Sequence, residues 1–492
     1  MKQLTETIFW NELKRQASNI RLLTGTELQE LTRLHGSQYL KQIAGITFDY
    51  SRQRVTEAIV DLLIQLADEA RLAERIDCLM SGSKVNVSEN KAALHTALRD
   101  LTNSPVYVDG LNIMNEVMDT KEQIKLIADS VRNKHWLGHT GKPITDVVNI
   151  GMGGSDLGPR LCINALASLS IASINFHFIS DVDPDSFHHV VARINPETTL
   201  FIVSSKSFTT KETLLNAAKA MKLYPIEQAI EHHFIAVTAH PAKALKMGIK
   251  TVLPIWEWVG GRYSFCSAVN LITAIAIGYE YFSELLAGAH DVDKHVRNTD
   301  FKENVPVLMG LLGVWNNNFL NIHNLLILAY SKRLEYFIPY VQQLDMESNG
   351  KSIDVSGRVV NYATGPIVWG GLGNQAQHSY LQLLCQGTHH CAADFITLQT
   401  HDNHILNAMS DYKMKVLSEG IDSIENPNGY ISGKMPLSHI RLSNCSPYSL
   451  GALVALYEHK VFVQSVIWNI NPFDQPGVES AKSVSDIFSL LN

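Results

Sequence analysis

Val147-Val-Asn-Ile-Gly-Met-Gly-Gly-Ser-Asp-Leu-Gly-Pro159 passes from an apolar run into glycines and then Ser155. A short buried strand that ends in glycines lets backbone N–H groups approach a ligand closely. A helix beginning just beyond adds its dipole to an anion site. Counting removes two nucleotide readings. A dinucleotide fingerprint started at Gly151 finds Gly153 but then needs glycine where Asp156 stands, and no Gly-Lys-Ser/Thr follows as a P-loop requires. Gly350-Lys351-Ser352 has a P-loop ending, yet the first glycine of that loop would fall on Asp345. The stretch therefore reads as a cradle for a small phosphorylated molecule, or as a plain strand-to-helix turn whose glycines serve packing.

Working outward, apolar runs at 147–150, 174–179, 200–204, 234–238 and 252–253 are separated by lengths suited to crossover helices. That pattern predicts a parallel sheet with helices on both faces, which binds ligands at the carboxyl ends of its strands. The third run leads into Ser204-Ser-Lys-Ser-Phe-Thr-Thr-Lys-Glu-Thr213, six hydroxyls in ten residues ahead of a predicted helix at 214–220. Helix capping explains one or two of these hydroxyls, and a phosphate site explains the set, with Lys206 or Lys211 supplying charge. Gly260-Gly-Arg-Tyr-Ser264 places Arg262 behind two glycines, suited to an anionic oxygen or to a surface turn. Asp181-Val-Asp-Pro-Asp185 lacks the glycine and terminal glutamate of a calcium loop and reads as a polar turn.

Before residue 143 the chain reads as mostly helical. Val55, Ile59, Leu62, Leu63 and Leu66 keep a helical period with Ser51 as N-cap, and 90–99 continues it with His95 and Arg99 on one face. Beyond about 271 a second αβ texture predicts strands at 325–329, 367–369 and 395–398 and a long helix at 450–468. At 492 residues, 46% of them hydrophobic and 18% charged, the chain has the composition of a soluble globular protein of two or three domains. A net charge of −7 without a basic run argues against a nucleic-acid surface. The first ten residues do not form a secretory signal, and the apolar 271–277 is too short to span a membrane and predicts a buried helix. Six scattered cysteines without a CxxC fit reduced cytosolic thiols, and Cys385-Gln-Gly-Thr-His-His-Cys391 matches no common zinc spacing, so no metal is expected.

Three further polar blocks, at 342–351, 373–380 and 473–482, offer a carboxylate, an imidazole and an ammonium. With the earlier motifs they make the chain resemble the phosphoglucose (glucose-6-phosphate) isomerase family. The likeness is carried in order by Gly153-Gly-Ser-Asp-Leu-Gly-Pro159, Ser205-Lys-Ser-Phe-Thr-Thr210, Gly260-Gly-Arg-Tyr-Ser264, Asp345-Met-Glu-Ser-Asn-Gly-Lys351, Gln377-His378 and Asp474-Gln-Pro-Gly-Val-Glu-Ser-Ala-Lys482. Phe48-Asp-Tyr-Ser51 and Leu94-His-Thr-Ala-Leu-Arg99 extend it toward the N-terminus. The resemblance implies an α/β fold of two sugar-isomerase domains, each a three-layer αβα sandwich with mainly parallel sheets. The smaller would cover 117–272; the larger would join 1–116 to 273–492.

It implies Glu347 as the base moving a proton between C2 and C1, His378 with Lys482 as the ring-opening pair, and Arg262 facing the enediolate charge. Gly154, Ser155, Ser205, Lys206, Ser207, Thr210, Gln343 and Gln475 would bind the sugar phosphate. It implies no cofactor, no nucleic-acid or membrane partner, a cytoplasmic enzyme, and a homodimer in which His378 crosses to the neighbouring subunit's site. Ser207 and Lys211 replace the family's usual threonine and glutamine, 370–376 is atypical, and Pro476, Ser480 and Ala481 replace its usual Trp, Leu and Gly. A sensor of sugar phosphates on the same domains would need the phosphate donors but no base, and a nicotinamide oxidoreductase is opposed by Asp156.

Overall fold

Five strands in the order Asn175–Ile179, Asp146–Gly151, Thr199–Ser204, Phe234–Thr238, Thr251–Pro254 form an all-parallel sheet. They lie where the apolar runs predicted them. Every residue of the three central strands is buried, as expected of a sheet covered by helices on both faces. Val148, Ile150, Phe201, Val203, Phe234 and Ala236 pack against Ala217 and Ala220 of the Lys211–Met221 helix and against Phe208. Phe201 and Phe234 stack at 5.0 Å, and full burial of each such ring contributes about 1.5–3 kcal/mol. The first strand in the chain is central, with the second to one side and the third to the other. Its carboxyl end is thus the topological switch point, where open α/β sheets form their crevice.

The structure is a computed structural model describing residues 4–33, 36–224, 226–423 and 426–484. The chain divides into two compact units, Leu79–Ala287 with 473–492, and Met1–Cys78 with Gly288–Pro472. The five-stranded sheet falls inside the expected 117–272, while its unit extends to both sides and takes in the residues after 472.

The other unit holds a six-stranded sheet in the order Leu40–Ile43, Ile46–Arg52, Leu437–Leu442, Ala392–Leu398, Asn324–Ala329, Ile367–Leu372. The last four strands are parallel and the first two antiparallel. Leu326, Leu328, Phe395 and Leu437 form its core with Met414 and Leu417. The Pro447–Ile467 helix is buried all round except at Tyr448 and Val466. It is long and apolar enough to cross a membrane, yet its middle carries Glu458, His459 and Lys460, all buried. Each is paired within the unit: Tyr340 Oη with Glu458 at 3.4 Å, Asp293 with His459 Nε2 at 2.6 Å, and Asp345 with Lys460 Nζ at 2.8 Å. Buried charge without partners would be prohibitive, so these pairs fix the helix as the core of its own unit.

Three local expectations are corrected. Ser51 is not a helix cap but lies in the strand Ile46–Arg52, and the helix Glu57–Glu69 starts after Thr56. Alternation in Ile46, Phe48 and Tyr50, all buried, marks that strand, and the helical period begins only beyond it. Residues 90–99 are irregular apart from the 3-10 turn Ala97–Arg99, so His95 and Arg99 share no helical face. The second expected strand of the other sheet is longer than 367–369, running through Gly370 and Gly371 to Leu372.

Candidate active site

The organising stretch folds as strand, glycine turn and helix. Gly153 has φ +55°, a conformation open to glycine, and the helix Gly154–Ala165 begins at the next residue. A Cβ on Gly154 would sit 1.9 Å from the carbonyl oxygen of Gly261, so only glycine admits the 3-10 turn Gly261–Tyr263 that carries Arg262. Pro159 stands inside the helix and offers no N–H to the Ser155 carbonyl; Asn149 Nδ2 donates to that oxygen instead, at 2.9 Å.

Gly151 pairs in register with Ser204, so the two donor-rich strand ends finish level with each other at the switch point. The second loop is pinned from several sides. Ser205 N–H donates to Val237 O at 3.0 Å, Lys206 O accepts from Thr238 Oγ1 and Ala239 N–H, each at 3.0 Å, and Lys243 Nζ donates to Ser207 O at 2.7 Å. Phe208 has φ +47°, a strained conformation for a bulky residue that costs about 1–3 kcal/mol, offset by burying its ring in the core. Ser205 Oγ lies 3.1 Å from Thr210 Oγ1, and Thr210 gives the Lys211–Met221 helix no side-chain cap. The first-turn N–H groups of that helix suit an outside acceptor. Burial lowers the Lys206 pKa below the usual lysine value; Glu257 opposes the shift, while Lys91 and Arg262 add to it. An arriving anion would favour that ammonium.

Arg262 is 3% exposed. Its Nη1 donates to Gln475 Oε1 and its Nη2 to the Asp474 carbonyl, both at 3.0 Å. Gly154, Arg262 and Gln475, drawn from three separate blocks of sequence, thus meet inside one unit. Lys482 belongs to the helix Pro476–Val484, where Pro476 takes the first position that proline favours; its side chain lies outside the described residues.

In the other unit, Glu347 ends the π-helical turn Gln343–Glu347, which continues the helix Phe337–Gln342. Its carboxylate is half-buried and accepts from Gln343 Nε2 at 3.0 Å. Such π turns concentrate at functional sites, and spacing arguments do not detect them. His378 lies exposed in the turn after the short helix Gly373–Ala376. The glycines before it have steric causes. A Cβ on Gly370 would meet Ile327 O at 2.0 Å across the sheet, and one on Gly373 would meet the Tyr330 ring at 2.3 Å.

Two features escaped sequence reasoning. The Asn149 contact was readable in principle, since a proline four residues after Ser155 orphans a carbonyl. The Lys460–Asp345 pair joins residues far apart in sequence, and only the fold exposes it.

A family model described as phosphoglucose isomerase matches residues 49–489, a span that takes in every block from Gly153 to Lys482. The chain belongs to the phosphoglucose isomerase family. Among curated relatives, the glucose-6-phosphate isomerase of Legionella pneumophila (strain Paris) is 69% identical, covering 98% of this chain and 97% of that protein. The one from Deinococcus deserti is 43% identical over 97% of this chain and 93% of its own length. A solved glucose-6-phosphate isomerase from Chlamydia trachomatis superposes with a TM-score of 0.92 at 30% identity, covering all of this chain and 97% of that one. A hypothetical protein from Thermus thermophilus, at 21% identity and TM-score 0.70 over 89% of this chain and 98% of its own, shares the fold. In one unit the level strand ends offer backbone and hydroxyl donors beside the buried cation of Arg262, and in the other unit Glu347 offers a half-buried carboxylate.

Proposed function

We propose that this chain interconverts D-glucose 6-phosphate and D-fructose 6-phosphate, as a cytoplasmic homodimer acting in glycolysis and gluconeogenesis. Full-length similarity carries the reading, foremost the 69% identity to a protein named for that reaction. The reaction rearranges hydrogen within one substrate, so it needs an acid and a base but no external electron acceptor.

Phosphate is held by Ser155, Ser205, Lys206, Ser207 and Thr210, with Gly154 giving the backbone its close approach. Anchoring that end places C1 and C2 beside the base and turns an encounter into an intramolecular step. His378 and Lys482 open the ring by delivering a proton to its oxygen. Glu347 takes the C2 proton; the electron pair left on carbon moves into a C1–C2 double bond, and charge gathers on oxygen as an enediolate. Arg262 faces that charge, stabilising the transition state more than the ground state. Glu347 returns the proton to C1, the hydroxyl proton on O2 passes to O1, and the carbonyl forms at C2. Gln343 orients the Glu347 carboxylate, and Gln475 holds Arg262 and reaches the sugar. The exposure of His378 suits its delivery to the partner subunit's site.

The test is direct: the purified protein, given glucose 6-phosphate, is expected to produce fructose 6-phosphate. Binding without conversion would instead favour a sugar-phosphate sensor.

A further inference from the structure

We propose that Lys460, acting through Asp345, is a positioning residue for Glu347, and that Lys351 is its second anchor; the inference rests on Glu347 being the base. A π turn carries one residue more than the α-helix it interrupts. Relaxation to α geometry would swing the following side chain by about 100° around the axis. The turn Gln343–Glu347 is held against that relaxation on both sides.

On the buried side Asp345, two residues before Glu347, is 0% exposed. Its Oδ2 meets Lys460 Nζ at 2.8 Å, and its Oδ1 accepts from Asn349 Nδ2 at 3.1 Å. Lys460 comes from the middle of the Pro447–Ile467 helix, in which every residue except Tyr448 and Val466 is buried, so the turn is tied to a rigid post. Beyond the turn, Lys351 Nζ donates to the carbonyls of Glu347 at 3.1 Å, Ser348 at 2.9 Å and Asn471 at 3.0 Å. The first two are carbonyls of the kind that a helix end leaves without intrahelical partners.

The alternative is that the pair serves stability alone. A buried ion pair is a poor device for that, since apolar residues of similar volume often do as well or better. What the pair supplies and an apolar contact does not is a directional tether at one register.

The distinguishing variant is Asp345→Leu with Lys460→Met, which removes both charges together and leaves neither unpaired. The expected result is a folded protein with KM for glucose 6-phosphate within about two-fold of the parent and kcat lower by about 10- to 100-fold. Deuterium uptake from solvent at the transferred carbon should fall in step with kcat. A folded double variant with parental kcat would overturn the proposal. Should it not fold, Asp345→Asn keeps the side-chain shape but removes the carboxylate charge that holds the Lys460 ammonium. It is expected to lower kcat at unchanged KM, and parental kcat there would equally overturn the proposal. An inactive parent would overturn the reading of Glu347 and this inference with it, an outcome seen before any variant is compared.

Discussion

Arg262 is held by oxygen atoms that would lose their donor if the guanidinium were changed. Two of its partners, Gln475 Oε1 and the Asp474 carbonyl, need a planar fork reaching in two directions, which a lysine ammonium cannot copy. Arg262→Lys is therefore expected to keep the charge but misplace it, lowering kcat by about 10- to 100-fold with a smaller effect on KM, measured by steady-state kinetics. An unchanged kcat would mean that charge alone, without the fork, is sufficient. The two glycines before Arg262 marked it as a candidate for an anionic oxygen or as part of a surface turn, and its burial removes the second reading. These two partners were not legible, because they lie more than two hundred positions away in sequence and only the folded chain brings them near.

At the scale of elements, the switch point depends on the helix Gly154–Ala165 starting in one place. Asn149→Ala would leave the Ser155 carbonyl without the donor that replaces the one Pro159 lacks. The expected cost is about 1–3 kcal/mol in urea unfolding, with a raised KM because Ser155 shifts; no loss of stability would show that the carbonyl finds another partner. Two buried histidines, His233 in the helix Ile230–His233 and His439 in the strand Leu437–Leu442, link folding to pH. Burial pushes the His233 pKa down from 6.5 to about 4, and burial with nearby Arg441 pushes that of His439 down to about 3. The folded state thus favours their neutral forms. Their contribution is complete above the unfolded value near 6.5 and is lost as pH falls from there toward the folded values. Urea midpoints should accordingly be flat from about pH 8 to 7 and decline from about 6.5 downward, less steeply in His233→Asn. The five parallel strands were legible because each is a short run rich in apolar residues, alternating in Asn175–Ile179, and bounded by turn residues. The strand Ile46–Arg52 was missed because its alternating pattern is followed at once by a helical period, and 90–99 was misread because apolar spacing alone cannot distinguish a helix from a buried irregular segment.

For the whole molecule, the ordered motifs carried the family before any coordinate, and the family match over 49–489 bears that out. The homodimer is expected through kinship alone. The proposed crossing of His378 predicts complementation: when Glu347→Gln and His378→Ala chains are mixed at equal amounts, half the dimers are hybrids with one intact site of two. About a quarter of parental activity should return, whereas a site built within one subunit would recover none. The central claim is that Glu347 carries hydrogen between neighbouring carbons of an anchored sugar phosphate, and one measurement reaches it most directly. Parent and Glu347→Gln proteins are incubated with glucose 6-phosphate in D2O and followed by proton NMR. The parent should form fructose 6-phosphate with deuterium at C1, while the variant binds the sugar but shows no uptake at C1 or C2; normal uptake by the variant would contradict the account.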